Sequence, residues 1–138
     1  MGQEAKSFFS GFLTFLYAEN SGAMLSMGNS LSESLRAFLL IGVVSIGLIV
    51  WTIYLIFKAS DKYLLSFCAL IIGGGIGNLL SRIFNNGNVV DFIFIDLGFV
   101  STGVFNVADI SIMLGVALLL IHQSKTNKRS LPNSNINS

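Results

Sequence analysis

The sequence predicts an all-α polytopic membrane protein with three transmembrane helices, and three observations carry the prediction. Of the 138 residues, 53% are hydrophobic and only 11% are charged, whereas a soluble domain carries roughly 25% charged residues. Three apolar stretches have close to the about 20 residues that a helix needs to cross the hydrocarbon. Basic residues bracket those stretches, with Arg36 and Lys58 around the first, Lys62 and Arg82 around the second, and Lys125 beyond the third.

Taken in order, Ser7 to Ala18 is apolar but too short to span alone. It also lacks a signal-peptide layout, because Glu4 and Lys6 precede it and Glu19-Asn20 follows without a small-residue cleavage site. It lies flat or forms strands at the interface, or a helix that would precede it is missing. Asn20-Ser21-Gly22 is a turn signal. Asn29 or Ser32 is the expected cap of the next helix, with Glu33 or Arg36 in its first turn. The first span is expected over Ala37 to Phe57, the second over Tyr63 to Ser81 and the third over Val104 to Ile121. The short link Lys58-Ala59-Ser60-Asp61-Lys62 makes the first two an antiparallel hairpin, and Trp51, Tyr54 and Tyr63 suit an interfacial aromatic belt. Gly73 and Gly77 form a small-xxx-small seam. The Ser-, Asn- and Lys-rich end has no apolar period. The chain therefore reads as one membrane-embedded domain over residues 1–124 and a disordered tail over 125–138. Lys58, Lys62, Lys125, Lys128 and Arg129 fall on one side, against Lys6, Arg36 and Arg82, which makes the hairpin turn and the tail cytoplasmic.

Several function classes drop out. A net charge of +1 gives no basic stripe for nucleic acid. Cys68 is the only cysteine, with no disulfide or metal-ligand companion, and reads as a small packing residue. His122 lies at the far end of the third span, so serine catalysis lacks its base. Two carboxylates without histidine or cysteine make a poor zinc site. Neither metal nor cofactor is expected.

What remains is a pair of carboxylates in apolar surroundings. Asp91 lies in Val89-Val90-Asp91-Phe92 and Asp109 in Phe105-Asn106-Val107-Ala108-Asp109. An ionisable residue in such a setting is expensive and is by default a functional candidate. Asp91 follows the exit of the second span and Asp109 opens the third, so both lie at the same side of the membrane. Asp109 could simply cap its helix, but Val104, Phe105, Val107 and Ala108 already surround it, which favours function. Asp96 has a loop-like setting and reads as solvated. Asn78, Ser81 and Arg82 share one helix face at the same end. Like charges at close range keep such a pair singly protonated, one carboxylate acting as base on water and the other donating a hydrogen bond to a scissile carbonyl.

Four motifs together resemble the bacterial lipoprotein signal peptidases (signal peptidase II): Asn20-Ser21-Gly22-Ala23, Gly77-Asn78-Leu79-Leu80-Ser81-Arg82, Val89-Val90-Asp91-Phe92 and Phe105-Asn106-Val107-Ala108-Asp109. Their order and spacing match across about residues 8–122. The resemblance implies an aspartic endopeptidase of the inner membrane, its site near the extracytoplasmic face, that cuts diacylglyceryl-modified prolipoproteins just before the lipidated cysteine. Asp91 and Asp109 match the catalytic pair, and Asn20, Gly22, Asn78, Arg82 and Asn106 match the residues that line and support it. Residues 8–26 would match a small extracytoplasmic β-cradle, and part of 83–103 a lid. The implied partners are lipidated precursors and membrane lipids, acting on a monomer. Two departures stand out. The family has four transmembrane helices and this chain starts after the first. Ser81 stands where the family usually has aspartate, which removes an expected partner of Arg82. They motivate an alternative, a truncated or diverged non-catalytic paralogue that binds precursors. A channel or transporter subunit fits poorly, because the polar positions cluster at one end of the spans.

Overall fold

A computed structural model describes residues 5–22 and 30–130, with side chains to Asn127. Three strands, β1 (Lys6–Phe8), β2 (Leu13–Asn20) and β3 (Val89–Ile95), form an antiparallel sheet in the order β1-β2-β3. Three helices, α1 (Glu33–Lys58), α2 (Lys62–Phe84) and α3 (Val107–Ser130), complete the chain. All three are long and apolar enough to cross a membrane. The protein is a helical polytopic membrane protein with a small sheet at one end of the bundle.

The caps explain where each helix starts. The Ser32 hydroxyl, one of the two expected caps, accepts from the Leu35 N–H at 3.4 Å, so α1 opens at Glu33, ahead of the apolar run from Ala37. Residues Phe38–Val43 of this helix are π-helical. Asp61 caps α2 by accepting from the Tyr63 and Leu64 N–H groups at 2.8 and 3.4 Å. Asn106 caps α3 by accepting from the Ala108 and Asp109 N–H groups at 2.7 and 3.2 Å. The third helix thus begins at Val107, not at Val104, and Phe105 instead bridges β3 at Ile93. Nor does helix end near Ile121. It runs on to Ser130, into the tail expected to be disordered. Lys and Gln are good helix formers and cations suit a helix C-terminus. Asn29, the other expected cap, lies outside the described residues.

Packing is that of a membrane protein. Among the described residues the buried apolar side chains are Leu55, Cys68 and Val89, while large apolar side chains cover the outside of the helices. Cys68 packs as expected. The α2–α3 seam relies on backbone approach. A Cβ on Gly74 would run into the Ala108 carbonyl oxygen and Ile112, and one on Gly115 would meet the Phe67 carbonyl oxygen at 2.8 Å. Gly77 also faces Ala108, but Gly73, expected in this seam, faces open space. Of the segment Ser7 to Ala18, which is too short to span, most is strand, in β1 and β2. Lys6 pairs with Phe15 and Phe8 with Leu13, while Asn20 pairs with Val89 and Ala18 with Asp91. The register shifts between Phe15 and Ala18.

Candidate active site

Asp91 sits in the middle of β3, a run of β-branched and aromatic residues that suits a strand. Alternation places it on the same face as the buried Val89, and it is only 3% exposed. Two carboxamides reach it. Asn20, at the end of β2, donates to Oδ2 at 3.0 Å, and Asn106 donates to Oδ1 at 2.6 Å.

Asp109 is positioned by helix chemistry. It is the third residue of α3, and its Oδ2 accepts from the Asn106 backbone N–H at 3.1 Å while the Asn106 Oδ1 caps the helix. This is a reciprocal capping box with aspartate in the usual glutamate place. The helix N-terminus favours an anion there by roughly 0.3–1 kcal/mol. Its other oxygen accepts from Asn78 Nδ2 at 2.8 Å, and Asn78 Oδ1 in turn accepts from Asn106 Nδ2 at 3.1 Å. Capping and a place in the candidate site coexist in one side chain, although capping and function read as alternatives in the sequence. The two carboxylates, expected to meet across a shared proton, are linked here through Asn106 and Asn78. Among the described residues no hydrogen bond joins them directly.

Arg82 is 8% exposed and holds two carbonyls, Gly22 O through Nη2 at 2.6 Å and Asn78 O through Nη1 at 3.3 Å. Its Nε is buried without a hydrogen-bond partner, and both Asp109 and Asp91 attract its charge. The Gly22 N–H donates to Asn20 Oδ1 at 3.0 Å, so the turn after β2 is locked at both ends. Ser81 does not serve Arg82. Its hydroxyl accepts from the Val90 N–H at 3.1 Å and fastens α2 to β3.

These groups form one end of a cavity of about 790 Å³. Asn20, Asn78, Arg82, Asp91 and Asp109 make the polar end, and Ile95, Val104, Ile110, Met113 and Leu114 make an apolar slot. Ser101 to Val104, within and beside the segment expected to act as a lid, form one wall. Carboxylates facing an apolar slot can act on a polar bond carried by an otherwise greasy ligand.

The structure brings Asn20, Gly22, Asn78, Arg82, Asp91, Asn106 and Asp109 together. Asp96 lies apart and exposed, its Oδ1 accepting from Gly98 N at 2.8 Å. Sequence reading missed the Ser81 anchor and one contact at the opposite end of the bundle, where His122 Nε2 lies 2.7 Å from Asp61 Oδ2. The Tyr63 backbone N–H, and then His122, hold the Asp61 carboxyl below its usual range.

A family model described as signal peptidase (SPase) II matches residues 1–125. The chain belongs to the signal peptidase II family. Among similar proteins are the lipoprotein signal peptidases of Borrelia hermsii, 30% identical over 134 residues (94% of this chain, 78% of the relative), and of Chlorobium phaeobacteroides, 35% identical over 130 residues (88% and 74%). Two solved bacterial membrane enzymes share the fold. One matches with TM-score 0.81 and 24% identity over 99% of this chain and 80% of its own. The other matches with TM-score 0.74 and 28% identity over 91% and 77%. Signal peptidase II is a protease family, and membership supports cleavage of signal peptides from prolipoproteins.

Proposed function

We propose that this chain is an intramembrane aspartic endopeptidase that removes signal peptides from diacylglyceryl-modified prolipoproteins, cutting just before the lipidated cysteine. Asp91 and Asp109 are the catalytic pair. One carboxylate takes a proton from water as the water oxygen attacks the scissile carbonyl carbon. The other, protonated, donates a hydrogen bond to the carbonyl oxygen. Collapse of the tetrahedral intermediate breaks the C–N bond, and the departing nitrogen takes the proton that the first carboxylate removed from water. Asn20, Asn78 and Asn106 orient the pair, and Arg82 with Gly22 fixes the turn beside it. The peptide crosses the polar end while the acyl chains occupy the apolar slot. This reading puts the sheet end at the extracytoplasmic face of a bacterial inner membrane, in a monomeric multi-pass protein.

The observation that carries the reading is a single cavity with two carboxylates at one end and apolar walls at the other. The test is cleavage of a lipidated precursor in detergent or liposomes. Asp91→Asn and Asp109→Asn each abolish cleavage while the protein still inserts. Retained cleavage in either variant would falsify the assignment, and binding without turnover in the unaltered protein would favour the non-catalytic paralogue.

A further inference from the structure

The polar end of the cavity uses one end of the sheet, and the other end has no part in it. There two turns lie side by side, because the Asp96 N–H at the close of β3 donates to the Phe12 carbonyl at 2.9 Å. One turn is Phe9 to Phe12, closed by a 3.2 Å bond from the Phe12 N–H to the Phe9 carbonyl, with Phe9, Ser10 and Gly11 at φ 52, 56 and 93. The other is Leu97 to Val100, closed by a 2.9 Å bond between the Leu97 N–H and the Val100 carbonyl. Phe9 is 80% and Phe99 90% exposed, and Phe12, Leu97 and Val100 are all about half exposed or more. A phenylalanine in the left-handed region is uncommon, and water offers this one nothing in return.

We infer that these two turns form one apolar tip that inserts into the interfacial region of the bilayer crossed by the helices, in the leaflet at the sheet end. Continuity with the membrane-facing helices favours lipid over another occupant. The hairpin that carries Phe99 has its base, Ile95 and Ser101 to Val104, on the same cavity as Ile110, Met113 and Leu114. Those three lie in the candidate span of α3 and are themselves largely exposed to its surroundings. The tip therefore extends outward from a cavity wall that already runs into the membrane. Charge points the same way. Between Ser7 and Ala18 there is no charged residue, and between Phe92 and Asn106 there is only Asp96, which accepts from Gly98 N. Burial of apolar side chains rather than attraction to anionic headgroups drives the insertion. Such a tip pins the sheet, and with it the cavity wall, at the level of the lipid.

The test uses the full chain with Trp51→Phe to clear the background, and Phe99→Trp or Phe9→Trp as a single reporter. Each is reconstituted in phosphatidylcholine vesicles brominated near the headgroup end or near the methyl end of the acyl chains. Insertion by about 5–10 Å makes each reporter lose more than half its emission to the shallow bromines and less to the deep ones. The loss is unchanged when anionic lipid is added. No quenching by either lipid, or emission as open to aqueous acrylamide as free tryptophan, overturns the inference, whether water or a second copy then surrounds the tip. Quenching of only one reporter overturns the single tip, and stronger quenching by the deep bromines overturns the interfacial depth. The readout is independent of catalysis, so its failure leaves the peptidase assignment untouched.

Discussion

Replacing Asn106 removes a helix cap and a bridge between the carboxylates in one step, and the two can be separated. The Asn106 Oδ1 caps α3, and its Nδ2 donates to both Asp91 and Asn78. Loss of a cap costs about 1 kcal/mol. Leaving the buried Asp91 Oδ1 without its 2.6 Å donor costs about 1–3 kcal/mol more. Asn106→Ala is therefore destabilised by about 2–4 kcal/mol. Asn106→Ser keeps a capping oxygen but cannot reach Asp91, so it recovers only the cap, about 1 kcal/mol. Asn106→Asp also keeps the cap, yet it turns an acceptor toward Asp91 and recovers no cleavage. Cys68 supplies the assay. It is the only cysteine in the chain and is 2% exposed, so a thiol-reactive dye reports unfolding in detergent micelles. If the alanine and serine variants unfold alike, the cap contributes nothing. If alanine matches the parent, the bridge is not what holds Asp91.

Two further predictions use the same readout. Gly74→Ala forces a Cβ against the Ala108 carbonyl and Ile112 and destabilises the α2–α3 seam by about 1–3 kcal/mol, whereas Gly73→Ala, facing open space, is neutral or stabilising; equal effects would show that the seam is not tight. Asp61 has its folded pKa lowered, chiefly by the Tyr63 N–H and also by His122, so its contribution is present above the unfolded carboxyl value and disappears as the pH falls through the folded one. Asp61→Asn then lowers stability at neutral pH and flattens that acid limb in a melt-versus-pH series; an unchanged acid limb would refute the linkage.

How much was legible in the sequence follows from what each feature demands of side chains. The spans were readable because lipid requires an unbroken apolar run and backbone bonds closed within the helix. Their ends were less so: Ser32 was readable as a cap, but Asn106 sets the start of α3 by hydrogen bonds that hydropathy does not register. Asp91, Asp109, Asn78 and Asn106 were readable as polar residues in or beside apolar runs, whereas Asn20 read as part of a turn and joined the site only through the family resemblance. The Arg82 partners were not, because two backbone carbonyls leave no mark in the residue types. Nor did a small-xxx-small pattern reveal which face of α2 meets α3, and Gly74 rather than Gly73 lies in the seam. The Asp61–His122 contact joins residues far apart in the chain, with no local pattern to announce it.

Ser81 allows the sharpest separation of two accounts of the same position. If aspartate is expected there to hold Arg82, serine should leave the guanidinium adrift. In the structure Arg82 is held by the Gly22 and Asn78 carbonyls, and the Ser81 hydroxyl serves the Val90 N–H. Ser81→Ala therefore orphans a backbone donor next to Asp91 and costs about 1–3 kcal/mol, with cleavage falling as β3 loosens. Ser81→Asp restores stability, because a carboxylate accepts the same bond and a charged acceptor strengthens it. Arg82→Ala is the reference, since it releases the turn at Gly22 and leaves β3 fastened. Deuterium exchange reads the difference locally: Ser81→Ala speeds exchange in Val89–Ile95, and Arg82→Ala speeds it around Asn20–Gly22. The reverse pattern, or a Val90 amide that exchanges no faster without the hydroxyl, would show that Ser81 is not the strand's anchor.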